Sequence, residues 1–262
     1  MDHRQVGKYW NENAEVWTRL SRAGYDTYRD VLNTPAFLEM LPPVGGLSGL
    51  DIGCGEGHNT RLLADRGARL TGLDVAGVFL RHAVAREQAQ PLGIRYVHGS
   101  AVELPLPSAH FDFATGFMSF MDIPETEKVI AEAFRVLKPG GFLQFSITHP
   151  AYDTPHRRNL RDETGRTYAY EVGGYFQRLE GRVEEWIFSA APSEVKAGLP
   201  KFKVPRFTRT LSGWLNLMLD CGFAIERLCE PCPSDAAVAA CPNVQDAQVV
   251  PYFLILRVRK PV

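Results

Sequence analysis

Apolar residues in the middle of this chain fall in short unbroken runs, and between those runs they recur every three or four positions. Residues 50–52, 68–74, 94–98, 111–117 and 142–147 are runs of the first kind, the mark of strands buried on both faces. Residues 58–66, 79–88 and 126–137 carry the helical spacing. It is clearest in the last, where Val129, Ile130, Ala133, Phe134 and Leu137 lie three and four apart. Strand, helix, strand, helix predicts an α/β fold, a parallel sheet with helices on both faces. Gly67 and Lys138-Pro139-Gly140-Gly141 stand where the first and third helices should stop.

The flanks read differently. Over residues 9–41, Tyr9, Trp10, Trp17, Leu20, Tyr28, Val31, Leu32, Phe37, Leu38 and Leu41 sit at helical intervals punctuated by Gly24, Pro35 and Pro42-Pro43. They predict two or three short helices forming a cover over residues 1–45. The sheet domain then occupies residues 46–262, interrupted after the fifth strand by residues 150–209. This insertion is rich in Tyr, Arg, Gly and Pro, and alternates over 177–188 as a short hairpin would. It reads as a cap over the strand ends that selects a substrate, or alternatively as a flap that joins two copies into a homodimer. A helix over 211–219, a strand over 223–228, a Pro-rich loop and a strand over 252–258 complete the chain. With no convincing helix between the last two strands, the final one should enter the sheet edge antiparallel. The expected fold is a Rossmann-like, seven-stranded, mostly parallel sheet.

Candidate chemistry centres on Leu50-Asp51-Ile52-Gly53-Cys54-Gly55-Glu56-Gly57, where a strand runs into a glycine-rich turn that opens a helix. Missing Cβ atoms let a ligand approach the backbone, and free helix N–H groups face it. Asp74 ends the next strand roughly 20 residues on, the spacing at which a carboxylate reaches a ribose hydroxyl. A nicotinamide dinucleotide would fit that much, and an oxidoreductase is one alternative. The dinucleotide pattern, however, wants a third glycine where this chain has His58, and Glu56 and Asp51 place negative charge beside the turn.

The run from Leu50 to Gly57, taken with Arg135-Val136-Leu137-Lys138-Pro139-Gly140-Gly141-Phe142, resembles the class I S-adenosylmethionine-dependent methyltransferases. The resemblance covers residues 50–148. It implies S-adenosylmethionine as cofactor and S-adenosylhomocysteine as product, with Asp51, Gly53, Cys54, Gly55, Asp74 and Val75 around the sugar and amino-acid part. It also implies a turn at Ser100, Ala101 and Val102 around the adenine, where the family often has an aspartate in place of Ser100. Phe117 and Met118 would wall the adenosine and methyl group, and Tyr28 or Arg29 of the cover would meet the cofactor carboxylate. The Asn/Asp-Pro-Pro-aromatic quartet of nucleic-acid amino methyltransferases is missing from 118–122. Methyl transfer needs alignment more than catalytic groups, but a base helps a hydroxyl or acid acceptor. His149, at the end of the fifth strand, is the first candidate, with Asp122, His156, Tyr152 and Tyr170 behind it.

Composition narrows the reading further. The 262 residues hold 29 basic and 30 acidic side chains, so no global charge favours nucleic acid or an anionic membrane. No apolar run is long enough to span a bilayer, and the N-terminus lacks an apolar signal core, so the default expectation is a cytoplasmic protein. Of the five cysteines only Cys229 and Cys232 are spaced C-x-x-C, with no second pair, so no metal is expected. The expected activity is in-line methyl transfer to a small, partly apolar acceptor. A protein that keeps the cofactor site without methylating, such as a cyclase, decarboxylase or binding subunit, is the other alternative.

Overall fold

The computed structural model describes residues 1–262. The chain opens on helix α1 (His3–Arg22), a π-helical turn (Arg29–Asn33) and α2 (Thr34–Met40). Next come β1 (Ser48–Ile52), α3 (His58–Ala64), β2 (Arg69–Asp74), α4 (Gly77–Ala89), β3 (Arg95–His98), β4 (Phe111–Phe117), α5 (Thr126–Val136) and β5 (Leu137–Thr148). Residues 150–209 contribute β6 (His156–Arg161), β7 (Thr167–Gly173), β8 (Glu180–Trp186), a single-turn α6 (Ser193–Lys196) and β9 (Phe202–Phe207). The chain closes with α7 (Leu211–Asp220), β10 (Ala224–Cys229), α8 (Asp235–Ala240) and β11 (Phe253–Arg259).

Seven strands form one sheet in the order β10-β11-β5-β4-β1-β2-β3. The pairs from β5 to β3 are parallel, and β11 runs antiparallel to both β5 and β10. This is the expected Rossmann-like sheet with its antiparallel last strand, except that β11 enters between β5 and β10 and leaves β10, not the final strand, at the edge. The chain fills β1 to β3 outward and then returns to lay β4 on the other side of β1, so a crevice opens at the carboxyl ends of β1 and β4.

Alternation along β4 and β5 divides the core between the two faces. Phe111, Ala114, Leu143, Phe145 and Ile147 pack with Val129 and Ile130 of α5 and with Trp214 and Met218 of α7. Phe113, Phe117 and Phe142 face the other way, toward Phe37 of α2 and Leu63 of α3. Each such side chain contributes roughly 1.5–3 kcal/mol of burial. On that second face β5 also carries Gln144 and Ser146, both fully buried. Gln144 Nε2 donates to the Phe37 carbonyl at 2.7 Å and Ser146 Oγ to Asn33 Oδ1 at 3.1 Å, which fixes the N-terminal segment on the sheet.

Four local expectations change. The first helix is 20 residues long rather than short, because Asp2 starts it early: Asp2 Oδ1 accepts from the Gln5 N–H, and Gln5 Oε1 accepts from the Asp2 N–H. Residues 177–188 are not a hairpin in themselves, since their alternation belongs to β8, which pairs antiparallel with β9, while β6 and β7 form a separate pair. Lys138-Pro139-Gly140-Gly141 does not precede β5 but lies within it. Gly140, at φ +75°, makes a bulge there that still donates to the Lys260 carbonyl. Finally, the loop between β10 and β11 holds α8 and a 3₁₀ turn (Pro242–Gln248).

Candidate functional site

The glycine-rich turn is built outward from Asp51. This carboxylate is fully buried, and both its oxygens are taken by hydroxyls: Thr60 of α3 donates at 2.6 Å and Thr115 of β4 at 2.9 Å. Burial pushes its pKa up to about 6 against those two hydrogen bonds. Asp51 therefore ties β1, α3 and β4 together at the crevice. The three glycines beyond it serve different ends. A Cβ on Gly53 would lie 2.4 Å from Ser119 Cβ, and one on Gly57 2.4 Å from Tyr96 Oη, so these positions are small for packing. Gly55, at φ +55°, has nothing within 4 Å of that position and leaves its backbone open to approach.

Asp74 is aimed at the same turn. Its Oδ2 accepts from the Gly55 N–H and its Oδ1 from the Ala76 N–H, each at 2.8 Å, while burial raises its pKa. One hydrogen bond per oxygen leaves acceptor capacity on both. The Glu56 charge is neutralised by Arg22 of α1, whose Nε donates to Oε2 at 2.9 Å, leaving Oε1 buried and without a partner. The acidity of the turn is thus weaker than its sequence suggests.

These groups open onto one cavity of about 540 Å³, within the roughly 300–1,000 Å³ range of small-molecule sites. Asp51, Gly53, Cys54, Gly55, Asp74, Val75, Ser100, Ala101, Phe117, Met118, Tyr28 and Arg29, drawn from five separate stretches of sequence, all line it. Met118 does so with φ +53°, a conformation rare outside glycine; its N–H donates to the Ser146 carbonyl at 3.0 Å. Tyr28 stacks on Tyr252 with ring centroids 4.9 Å apart, and Arg29 Nε is held by Asp30 at 2.7 Å. Val102 is not on the lining. It packs against the core, with its N–H toward Ser100 Oγ at 3.4 Å.

His149 does not suit the role of base expected for it. It is buried outside the cavity lining, its Nε2 lies 2.8 Å from Glu230 Oε1, and its Nδ1 accepts from the Ala151 N–H at 3.1 Å. With both ring nitrogens engaged, it fixes the turn after β5. His156 is exposed and paired with Glu171, and Tyr170 sits behind the wall, hydrogen-bonded to Tyr252. Tyr152 and Asp122 do line the cavity.

Sequence reasoning missed the opposite wall. Trp17 of α1 meets Trp186 and Phe188 of the insertion with ring centroids 5.5 and 4.9 Å apart, Trp10 lies edge-on to Trp17 at 5.4 Å, and all four line the cavity. Beside them Arg206 of β9 is buried between Glu184 (2.6 Å) and Asp153, and Arg157 reaches the same two carboxylates at 3.4 and 3.3 Å. The alternation of Phe202, Val204 and Arg206 could have placed Arg206 on an inward face.

Comparison with known proteins bears on this geometry. A family model described as a methyltransferase domain matches residues 50–145. A crystal structure of an S-adenosylmethionine-dependent methyltransferase from Mesorhizobium loti aligns over 86% of this chain and 96% of its own, at 30% identity and a TM-score of 0.70. The chain belongs to the S-adenosylmethionine-dependent methyltransferases. The cofactor of this methyltransferase is accordingly S-adenosylmethionine, and the nicotinamide oxidoreductase alternative falls away. A fatty-acid O-methyltransferase of Mycolicibacterium smegmatis is 29% identical over 167 residues, 61% of this chain and 60% of that protein. Another curated relative from the same organism is 37% identical over 120 residues, and the chain spans only 45% of its length. No helix of the methyltransferase is long and apolar enough to cross a membrane.

Proposed function

We propose that this methyltransferase acts on a small, partly apolar acceptor enclosed between α1 and the insertion. The observation that carries the reading is that the glycine turn, Asp74 and the aromatic wall of Trp10, Trp17, Trp186 and Phe188 border a single cavity. The residues present suit the cofactor. Gly55 leaves room for backbone approach, Asp74 keeps free lone pairs for sugar hydroxyls, and Glu56 Oε1 and Asn33 Nδ2 are polar lining groups without partners. In this reading Ser100 and Ala101 border the adenine, Phe117 and Met118 wall the adenosine and methyl group, and Tyr28 and Arg29 close the amino-acid end.

S-adenosylmethionine supplies a methyl group on a sulfonium, already activated for transfer. The chain's own work is alignment and exclusion of water. Met118 is held rigidly at the end of β4 by its bond to Ser146, while α1 and the insertion close the mouth with indole and phenyl rings.

The test is calorimetric titration of S-adenosylhomocysteine. Asp74→Ala should weaken its binding by about tenfold or more, the loss of one or two hydrogen bonds to a charged group. Unchanged affinity would remove Asp74 from the site. Release of S-adenosylhomocysteine in the presence of small aromatic hydroxyl and amine acceptors, above the rate without them, would support the acceptor class.

A further inference from the structure

We propose that Asp122 accepts the proton of the methyl acceptor, and that the site takes acceptors whose attacking atom is a neutral hydroxyl oxygen or amine nitrogen rather than a carboxylate. The inference rests on the methyl-transfer reading above and adds to it the reacting group of the acceptor.

Asp122 ends a one-turn 3₁₀ helix (Phe120–Asp122) that follows β4 within the crevice, two residues beyond Phe120 of the core. Its carboxyl lines the cavity and is buried, yet no hydrogen bond reaches it from any side chain or backbone N–H. Natural carboxyls in such surroundings carry partners. A ligand donor would supply the missing one.

The charges around it decide which donor. From β9 Arg206 acts on Asp122, but its guanidinium is already held by Glu184 of β8 and by Asp153. Arg157 of β6 binds the same two carboxylates. Arg182 of β8 binds Glu184 as well, so three guanidinium groups face two carboxylates and each is engaged by at least one of them, while Asp122 makes no ion pair of its own. From α5 and the turn before it, Glu127 is matched by Arg209, and Glu125 by Lys128 and by His3 of α1. Within β5 the one titratable side chain, Lys138, is bound to Asp112. The carboxyl of Asp122 is therefore the group left without a partner, and an acceptor O–H or N–H can donate to it, whereas a carboxylate has no proton to give.

The step balances. A lone pair on the acceptor oxygen or nitrogen forms the new bond to the methyl carbon, and the carbon–sulfur bond breaks with its electron pair remaining on sulfur. The acceptor's proton passes to ionised Asp122, which later releases it to solvent. Burial pushes the Asp122 pKa up to about 8 in the free protein, opposed by Arg206. A nearby sulfonium charge would lower it and favour the form that takes a proton.

The test uses the full chain at about pH 9, where Asp122 is ionised without a sulfonium beside it, loaded with S-adenosylhomocysteine and given three matched probes, para-propylphenol, para-propylaniline and para-propylbenzoate. Failure of the loading step would count against the methyl-transfer site itself. With loading intact, the phenol and aniline should bind at least about tenfold more tightly than the benzoate, and Asp122→Asn should abolish most of that preference. Preferential binding of the benzoate, a preference unaltered by Asp122→Asn, or binding of no probe at millimolar concentration would each overturn the proposal. A second measurement needs no ligand. Because the folded pKa lies above the ordinary 3.8, the stability that the Asp122 proton provides is present below about pH 4 and is lost as pH rises through about 8. Relative to Asp122→Asn, the parent should therefore lose melting temperature steadily across that window, and a constant gap would overturn a buried, titrating Asp122. Asp122→Ser, smaller and uncharged, repeats both measurements should the amide misfold.

Discussion

At the scale of single residues, the glycine turn holds its shape through a carboxylate that borders the cavity yet has both oxygens bound within the protein. Asp51 is satisfied by the hydroxyls of Thr60 and Thr115 alone. Asp51→Ala would leave those two hydroxyls to find new partners in a dry site. It should destabilise the protein by about 2–4 kcal/mol, read as a lower urea midpoint with an unchanged m-value. The sequence placed Asp51 among cofactor groups because strand-end acids next to glycine turns usually face the ligand. Nothing in its spacing could reveal that two threonines, 9 and 64 residues away, consume its oxygens. The engagement of His149 is hidden from the sequence in the same way. Its position at a strand end was legible, but the partner that occupies it, Glu230, is 81 residues distant. Asp74, Gly55 and Met118 were legible because local geometry, a strand end or a glycine, fixes where they point.

At the scale of elements, the parallel strands and their helices followed from periodicity, since a run such as Phe111–Phe117 is buried on both faces and shows it in composition. The insertion did not follow, because half-exposed antiparallel strands share their pattern with a hairpin that pairs with itself. What β8 pairs with is decided by β9, 16 residues after Trp186. The cover presents a comparable case. Asn13, buried on α1, both donates to and accepts from the backbone of Lys203 in β9, each at 2.9 Å, like an extra strand residue. Asn13→Ala would leave that N–H and carbonyl unpaired. Amide exchange in α1 and in β9 should then rise together by roughly tenfold or more, while exchange in β4 and β5 stays unchanged. Faster exchange confined to α1 alone would show that the two elements are docked independently.

At the scale of the whole molecule, the seven strands pair among themselves, while the cavity brings together groups from the cover, the sheet ends and the insertion. A ligand that binds only this assembled state stabilises it by mass action, by about 2.7 kcal/mol at a concentration one hundred times its Kd. S-adenosylhomocysteine should accordingly raise the melting temperature by several degrees, roughly 2–4 °C per kcal/mol for a chain of this size. NAD at the same concentration should not. Arg22, which joins α1 to Glu56 in the glycine turn, makes the cover part of that response, and Arg22→Ala should reduce the shift. The stitching of α1 to β9 also limits how the enzyme can be re-engineered. Trp17 packs against Trp186, Phe188 and Phe202 at once, so a chimera that imports only a foreign insertion inherits an indole shaped for rings that are no longer there. Transplanting specificity between such enzymes therefore requires moving the first helix and the insertion as a single cassette, although well over a hundred residues of chain separate them.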